Sequence, residues 1–247
     1  MSLTSGRRAP TVGRVTTLAP HRRSAARRFW ASTIGKKAVM AVSGVLLLAF
    51  VCAHMVGNLK TFLGAAELNH YAGWLRTIGE PVLGRAWFLW LQRAVLLAAL
   101  VLHVTAAVQL ARRDRRARPV RYVHRPPVRA TFAVRTMRWG GATLAVFVVW
   151  HILDFTVGTV NRDFVPGDPY HNLVADFQVW WVNLIYLAAL AMLGLHIHHG
   201  FASAARTLGV TRPRRERAIK IIGSTTAVVV AGGYALVPVA IMTGLVH

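Results

Sequence analysis

The sequence predicts an all-α integral membrane protein with five transmembrane helices and a cytoplasmic N terminus. Hydrophobic residues make up 55% of the 247 positions and charged residues only 15%, which is typical of a membrane protein rather than a soluble domain. The second observation is a set of five apolar segments, each long enough to cross a bilayer as a helix of about 20 residues. These segments are predicted at residues 38–57, 86–111, 139–160, 177–205 and 218–246.

The basic residues supply the third observation and the predicted orientation. Nine lysines and arginines precede the first segment, ten lie between the second and the third, and six lie around the connection between the fourth and the fifth. Only four lie in the two remaining loops. Because Lys and Arg accumulate on the cytoplasmic side, the N terminus and the loops 112–138 and 206–220 are predicted to be cytoplasmic, in a bacterial inner membrane. The same clustering argues against nucleic-acid binding, although the net charge is +22.

The N-terminal residues 1–35 are predicted to form a disordered basic tail. This stretch holds seven arginines and no acidic residue, a composition that a transit peptide shares. Residues 36–247 are predicted to form one transmembrane domain. Within this domain, the outer loop 58–85 is predicted to lie along the membrane interface as a short amphipathic helix.

Histidine is the residue type that points to chemistry in this chain. Each of the first four apolar segments carries at least one histidine, and the fourth carries three. These intramembrane histidines are His54, His103, His151, His196, His198 and His199. One isolated intramembrane histidine favours a hydrogen bond or a proton relay, but histidines on four consecutive helices favour metal ligation. The only cysteine, Cys52, excludes a disulfide framework, a cysteine-rich metal site and covalent haem attachment.

The depths of four histidines predict two pairs. At 1.5 Å of rise per residue, His103 and His196 lie roughly 14 and 15 Å from the inner face, whereas His151 and His54 lie roughly 20 and 25 Å from it. Two imidazole pairs in a four-helix core suit two haem irons whose axial positions are both filled, and such irons carry electrons rather than bind substrate. His198 and His199 lack a partner at equal depth and are interpreted as haem neighbours or interfacial polar residues.

Four segments of the chain resemble a known family. They are FVCAHMVGNLK at 50–60, LVLHVTAAVQLARR at 100–113, MRWGGATLAVFVVWHILDF at 137–155 and LHIHHGFASAARTLGVTRPR at 195–214. Together they resemble the cytochrome b membrane anchor of succinate dehydrogenase and quinol:fumarate reductase, in its single-chain, five-helix, two-haem form. The family's fourth-span signature is matched by His196, Gly200 and Gly209, which selects His196 from its histidine neighbours. The resemblance covers about residues 30–245.

The resemblance implies two haem b groups, a quinone and two partner subunits. It implies that spans one and three hold the distal haem through His54 and His151, and that spans two and four hold the proximal haem through His103 and His196. A flavoprotein and an iron–sulfur subunit would dock on the cytoplasmic face, and a homo-oligomer of the whole complex stays open. The arginine-rich tail is longer than the family requires, and the loop 112–138 is unusually basic.

Menaquinone is expected near the distal haem, with a carboxylate that handles its protons. The candidates for this carboxylate are Glu80, Glu67 and Asp154. Lys60 and Arg93 are candidates to pair with haem propionates or quinone oxygens, although interfacial snorkelling explains the same residues.

Three other functions fit parts of the same pattern. The chain could serve as the cytochrome b subunit of a hydrogenase or a formate dehydrogenase. Histidines on several helices are also typical of a transporter that relays protons. A haem-free anchor for a peripheral enzyme is the remaining alternative.

Overall fold

The computed structural model describes residues 24–117, 128–210 and 212–247, and these residues fold into helices without a strand. The α-helices are α1 Ala25–Ala31, α2 Thr33–Asn58, α3 Ala65–Thr77, α4 Trp87–Arg116, α5 Val128–Ile152, α6 Pro169–Phe177, α7 Trp180–Thr207 and α8 Glu216–Met242. Two 3₁₀ turns, Leu59–Leu63 and Pro213–Arg215, and one π-helical turn, Leu153–Val157, join them. Five helices are long and apolar enough to cross a membrane, namely α2, α4, α5, α7 and α8, which confirms the predicted number of spans.

Local sequence signals set several helix ends. The Ser32 side chain accepts a hydrogen bond from the backbone N–H of Gly35 and caps α2, and Asp168 caps α6 in the same way with Pro169 at the first helical position. Beyond the end of α7, Gly209 adopts a φ of 73°, the left-handed conformation that closes a helix with a glycine.

The four histidine-bearing helices pack around a central pair. Helix α2 packs against α4, α7 and α8, and α7 packs against α5, α2 and α8. Small buried side chains allow the close approach of α2 and α4, among them Ala41, Ala99 and Ala106. The result is a bundle in which α4 packs against α2 and α5 packs against α7. Helix α8 packs against both helices of the central pair.

Two short helices lie at one end of the bundle, which we call the predicted outer end. Helix α3 occupies the loop that was predicted to be an interfacial helix, and α6 packs beside it. The Asn69 side chain links them, because it donates to the Asp168 carboxylate at 2.9 Å and accepts from the Tyr170 backbone N–H at 3.1 Å.

The helices begin and end differently from the predicted segments at several points. Helix α1 and the start of α2 lie inside the predicted tail of residues 1–35, so the described part of that tail is helical. Residues 1–23 lie outside the described residues. Helix α6 was not predicted, since the hydropathy pattern places residue 177 at the start of the fourth span, whereas α7 begins at Trp180.

Candidate functional site

The first histidine pair lies toward the predicted outer end. His54 of α2 and His151 of α5 face each other with their ring centres 6.0 Å apart and nearly perpendicular planes. The Phe50 ring stacks on His54 at 5.3 Å, one helical turn earlier, and the Tyr234 ring of α8 lies 6.1 Å away. The structure therefore brings together two histidines that are 97 positions apart in the sequence.

Hydrogen bonds fix the tautomer of His151. The Tyr186 hydroxyl donates its only proton to the Asp154 carboxylate at 2.6 Å, so it accepts from Nδ1 of His151, which lies 3.2 Å away. Nδ1 of His151 therefore carries the proton, and Nε2 keeps its lone pair. A histidine whose second nitrogen is held in this way is oriented as a metal ligand.

The second pair, His103 of α4 and His196 of α7, lies toward the other end of the bundle. The two ring centres are 6.2 Å apart. Nδ1 of His103 lies 3.0 Å from the carbonyl oxygen of Met40, which only accepts hydrogen bonds, so Nδ1 is the donor and Nε2 keeps its lone pair. The Ser43 hydroxyl lies 3.3 Å from the same nitrogen. By contrast, Nδ1 of His196 is buried without a hydrogen-bond partner among the described residues.

Two glycines make room for the imidazoles of this pair. A Cβ at Gly44 would stand 3.1 Å from Cε1 of His103, and a Cβ at Gly141 would stand 3.6 Å from Cε1 of His196. The first distance is tight and the second is an ordinary contact. Gly44 is therefore the position where any larger residue would displace a ring of the pair.

The two pairs stand at two depths along the bundle. On α2, Gly44 beside His103 precedes His54 by ten residues, and on α7, Tyr186 beside His151 precedes His196 by ten residues. Ten residues of α-helix rise by about 15 Å. Both central helices thus give the same separation of about 15 Å, which agrees with the depth order predicted from the sequence.

The geometry of each pair fits an iron that receives its other ligands from a macrocycle. Imidazole nitrogens bind metals at about 2 Å, so two rings on opposite sides of one ion have their centres about 6 Å apart. Within the described residues, no three His, Cys, Asp or Glu side chains meet in a way that could hold a metal ion. A zinc-type site of three or four protein ligands is thus not formed there, whereas a bis-histidine haem needs only two.

Lys60 and Glu67 meet in a cleft at the predicted outer end. The Lys60 ammonium lies 3.8 Å from the Glu67 carboxylate and 5.4 Å from the centre of the Tyr71 ring. The cleft has a volume of about 260 Å³, and His70 and Trp74 complete its lining. The fold therefore brings two of the candidate residues, Lys60 and Glu67, together in one cleft.

The structure keeps Glu80 and Arg93 apart from these groups. Glu80 is exposed and precedes a cis proline in the connection between α3 and α4. Arg93 lies exposed on α4 with its guanidinium 4.9 Å from the centre of the Trp90 ring, an arrangement typical of interfacial snorkelling.

His198 points toward α8, whereas His199 follows His196 at i+3 spacing on the same side of α7. The rings of His198 and His199 lie 4.8 Å apart, and Nδ1 of His198 lies 3.0 Å from the Ser224 hydroxyl of α8. His196 alone of the three faces His103. The structure thus gives the three neighbouring histidines two different surroundings.

Asp154 is placed beside the outer pair, together with an acidic residue that the sequence reasoning missed. Asp154 belongs to the π-helical turn, and Asp176 belongs to α6; their exposed fractions are 1% and 6%. Burial, together with the nearby charge of Asp154, raises the pKa of Asp176 to about 8. The available signal was an acidic residue next to an apolar span, which is rare without a function.

The comparisons with known proteins add no relative. No family model matches the chain, and no similar protein was found among curated proteins or solved structures.

Proposed function

We propose that this chain is the dihaem cytochrome b anchor of a succinate:menaquinone oxidoreductase, and that it conducts electrons across the membrane between an iron–sulfur subunit and menaquinone. The observation that carries the proposal is the pair of imidazole pairs, with ring centres 6.0 and 6.2 Å apart, on four helices. A haem b ligated by histidine on both faces supplies a one-electron carrier without an open coordination position. His54 with His151 would hold the outer haem, and His103 with His196 the inner one.

The surrounding residues of the chain orient these ligands. The Met40 carbonyl and the Tyr186 hydroxyl each hold one Nδ1–H, which leaves Nε2 of His103 and of His151 as the ligating atom. Gly44 lets His103 approach α2 closely. These contacts come from helices, so the orientation of His103 and of His151 is set by the protein itself.

The cleft at Lys60 and Glu67 is the proposed menaquinone site. Lys60 follows His54 by six residues, which places the cleft about 10 Å beyond the outer pair along the helix. Its volume of about 260 Å³ is near the lower end for small-molecule pockets. Lys60 can donate a hydrogen bond to a quinone oxygen, Glu67 can exchange a proton, and the aromatic side chains of Tyr71 and Trp74 can contact the ring.

The inner end supports docking of the flavoprotein and iron–sulfur subunits. Basic side chains are concentrated there, and Arg113 of α4 fastens the α1–α2 connection through the Ala31 carbonyl at 2.9 Å. The inner pair lies closer to this end than the outer pair does. Electrons delivered at the inner end would therefore meet the His103–His196 pair first.

Haem content per polypeptide tests the proposal. The detergent-purified complex should contain two b-type haems per chain by the pyridine haemochrome assay, and His196→Ala and His151→Ala should each leave one. His198→Ala is the matched control and should keep both, because His198 faces Ser224 rather than the pair. A folded preparation without haem, made with adequate haem supply, would rule the proposal out. Copurified hydrogenase or formate dehydrogenase subunits would instead identify a different redox complex.

The quinone cleft is tested on the same preparation. Glu67→Gln should raise the KM for a menaquinone analogue while the reduction of a soluble dye by succinate stays unchanged. An unchanged KM in both this variant and Lys60→Ala would place the quinone elsewhere.

One observation favours a proton-relay transporter as a second candidate. His151, Tyr186 and Asp154 form a hydrogen-bonded series. Such a series can relay protons as well as orient a metal ligand. Proton flux into vesicles that contain the haem-free, folded chain would support this candidate. Two haems per chain would exclude it.

A further inference from the structure

Asp154 and Asp176 form a buried carboxyl pair that the proposed function does not account for. They lie on different elements, the π-helical turn and α6, and both are almost completely buried. Their side chains lie within hydrogen-bonding reach of each other. Two ionised carboxylates in such a place would repel each other strongly, so the pair must hold at least one proton.

The count of donors around the pair leads to the same conclusion. Oδ2 of Asp154 receives the proton of Tyr186, but Oδ1 of Asp154 and Oδ2 of Asp176 have no donor among the described residues. A buried acceptor without a donor is costly. A proton on Asp176 that is shared with Asp154 satisfies an oxygen of each residue, as in the carboxyl dyads of known acid–base sites.

A small cavity connects the pair to the surface at the predicted outer end. Its volume is about 30 Å³, which exceeds the roughly 10–15 Å³ that a cavity needs to hold one water. Asp176 and Trp181 line its interior, and the exposed residues Arg162 and Asp163 line its rim. A water in this cavity can therefore carry protons between Asp176 and the solvent.

The other groups near Asp176 are uncharged or distant, and the buried amide of Asn161 lines the same cavity. Helix α8 contributes Val237 and Ile241 to the apolar cluster around α6, and α3 meets the opposite end of α6 through Asn69. Helix α7 contributes the Tyr186 hydroxyl. The charged groups that face the pair are thus Arg162 and Asp163 at the rim of the cavity.

We propose that Asp154 and Asp176 are a proton-binding site that shares one proton, exchanges it with the cavity, and acts on His151 through Tyr186. An ionised Asp154 withdraws the Tyr186 proton and makes the hydroxyl oxygen a better acceptor for Nδ1–H of His151. A second proton reaches Asp176 from the solvent through the cavity water, and the shared proton moves onto Asp154. This weakens the acceptor and would make Nε2 of His151 a poorer electron-pair donor to a metal. The coupling to His151 rests on the proposed function, whereas the shared proton does not.

Infrared spectroscopy tests the shared proton without reference to activity. The purified chain with ¹³C-labelled aspartate should show, at neutral pH, the carbonyl stretch of one protonated carboxylic acid that shifts with the label. Asp176→Asn should remove this band, and Asp163→Asn, at the exposed rim, should keep it. Absence of the band from the unmutated protein, or its persistence in both Asp176→Asn and Asp154→Asn, would overturn the proposal.

Redox titration of the haem-loaded complex tests the coupling to His151. The potential of the outer haem should depend on pH in the unmutated complex and depend on it less in Asp176→Asn, while the inner haem behaves alike in both. An equal pH dependence in the two proteins would overturn the coupling and leave the shared proton standing. A chain that shows the infrared band but binds no haem would overturn the proposed function alone.

Discussion

The two histidine pairs have nearly the same ring spacing, but different kinds of partner hold them. The inner pair is held by a backbone carbonyl, because Nδ1 of His103 donates to Met40 at 3.0 Å. The outer pair is held by an ionisable network, because Nδ1 of His151 donates to Tyr186, which in turn donates to Asp154. A carbonyl cannot change its charge between pH 4 and 9, whereas a carboxyl pair can.

This difference predicts which pair has surroundings that change their protonation with pH. The environment of the inner pair is fixed by the helix backbone, so it should behave as a constant electron carrier under the proposed function. Under the proposals above, the environment of the outer pair changes with the protonation of Asp154 and Asp176, at the end of the bundle where the proposed quinone cleft also lies. The proposed electron and proton chemistry would then meet at the predicted outer end.

The largest expected effect is on the inner pair and comes from Gly44→Ala. The added Cβ would stand 3.1 Å from Cε1 and 3.4 Å from Nδ1 of His103, so the ring must shift by a few tenths of an ångström, which disturbs its hydrogen bond to Met40. Disturbing a partner of a metal-ligating histidine lowers affinity about 10- to 100-fold, and the inner haem should be largely lost while the outer haem stays. Haem per polypeptide and the low-temperature α-band spectrum measure this.

Gly232→Ala is the control for that substitution. Gly232 also lies in a membrane-spanning helix, but no atom outside its own helical turn lies within 4 Å of the added Cβ. This variant should keep both haems. Retention of both haems in Gly44→Ala as well would show that the contact between Gly44 and His103 does not constrain the inner pair.

A smaller effect, confined to the outer pair, is expected from Tyr186→Phe. The substitution removes the acceptor of His151 Nδ1–H and the donor to Asp154 while keeping the ring in its aromatic cluster. The outer haem should bind about tenfold more weakly, and its potential should rise because the ligand becomes less electron-rich. Redox titration measures both haems, and Tyr170→Phe, which loses only a contact to the C-terminal carbonyl, is the control. A shift of the inner potential alone would contradict the assignment.

The sequence predicts which histidines lie level with each other, because helical rise alone sets their depth. Residue numbers place His103 level with His196, and no knowledge of side-chain packing is needed. The ionisable network could not be predicted in this way, because it depends on the π-helical turn at Asp154 and on α6, which carries Asp176. The dipeptide of Asp168 and Pro169 is a helix-start signal that would have revealed α6.

The sequence could not predict which of the candidate quinone-site residues lie close together in space. Lys60 and Glu67 are seven positions apart, and a 3₁₀ turn followed by α3 brings their charged groups to 3.8 Å. Glu80 belongs to the same loop, but its position after α3 leaves it exposed and away from the cleft. The positions of loop side chains depend on turns, and a hydropathy pattern does not predict those turns.

The smallest expected effect is a change in the pH dependence of stability through Asp176. Burial raises the pKa of Asp176 from its ordinary value near 4 to about 8, so the folded protein holds this proton where the unfolded chain has released it. The folded state is therefore favoured most below pH 4, and this contribution is lost as the pH rises toward 8. In detergent, the unmutated protein should lose thermal stability between pH 5 and 8 by a few degrees more than Asp176→Asn does.

Thermal unfolding of matched preparations decides this prediction. Other groups of the protein also contribute to the pH dependence, so only the difference between the two proteins carries the information. Asp163→Asn should follow the unmutated curve, because its carboxylate lies exposed at the rim of the cavity. If Asp176→Asn also follows that curve, the carboxyl pair releases its proton as readily in the folded state as in water. The outer histidine pair would then respond to pH no more than the inner pair does.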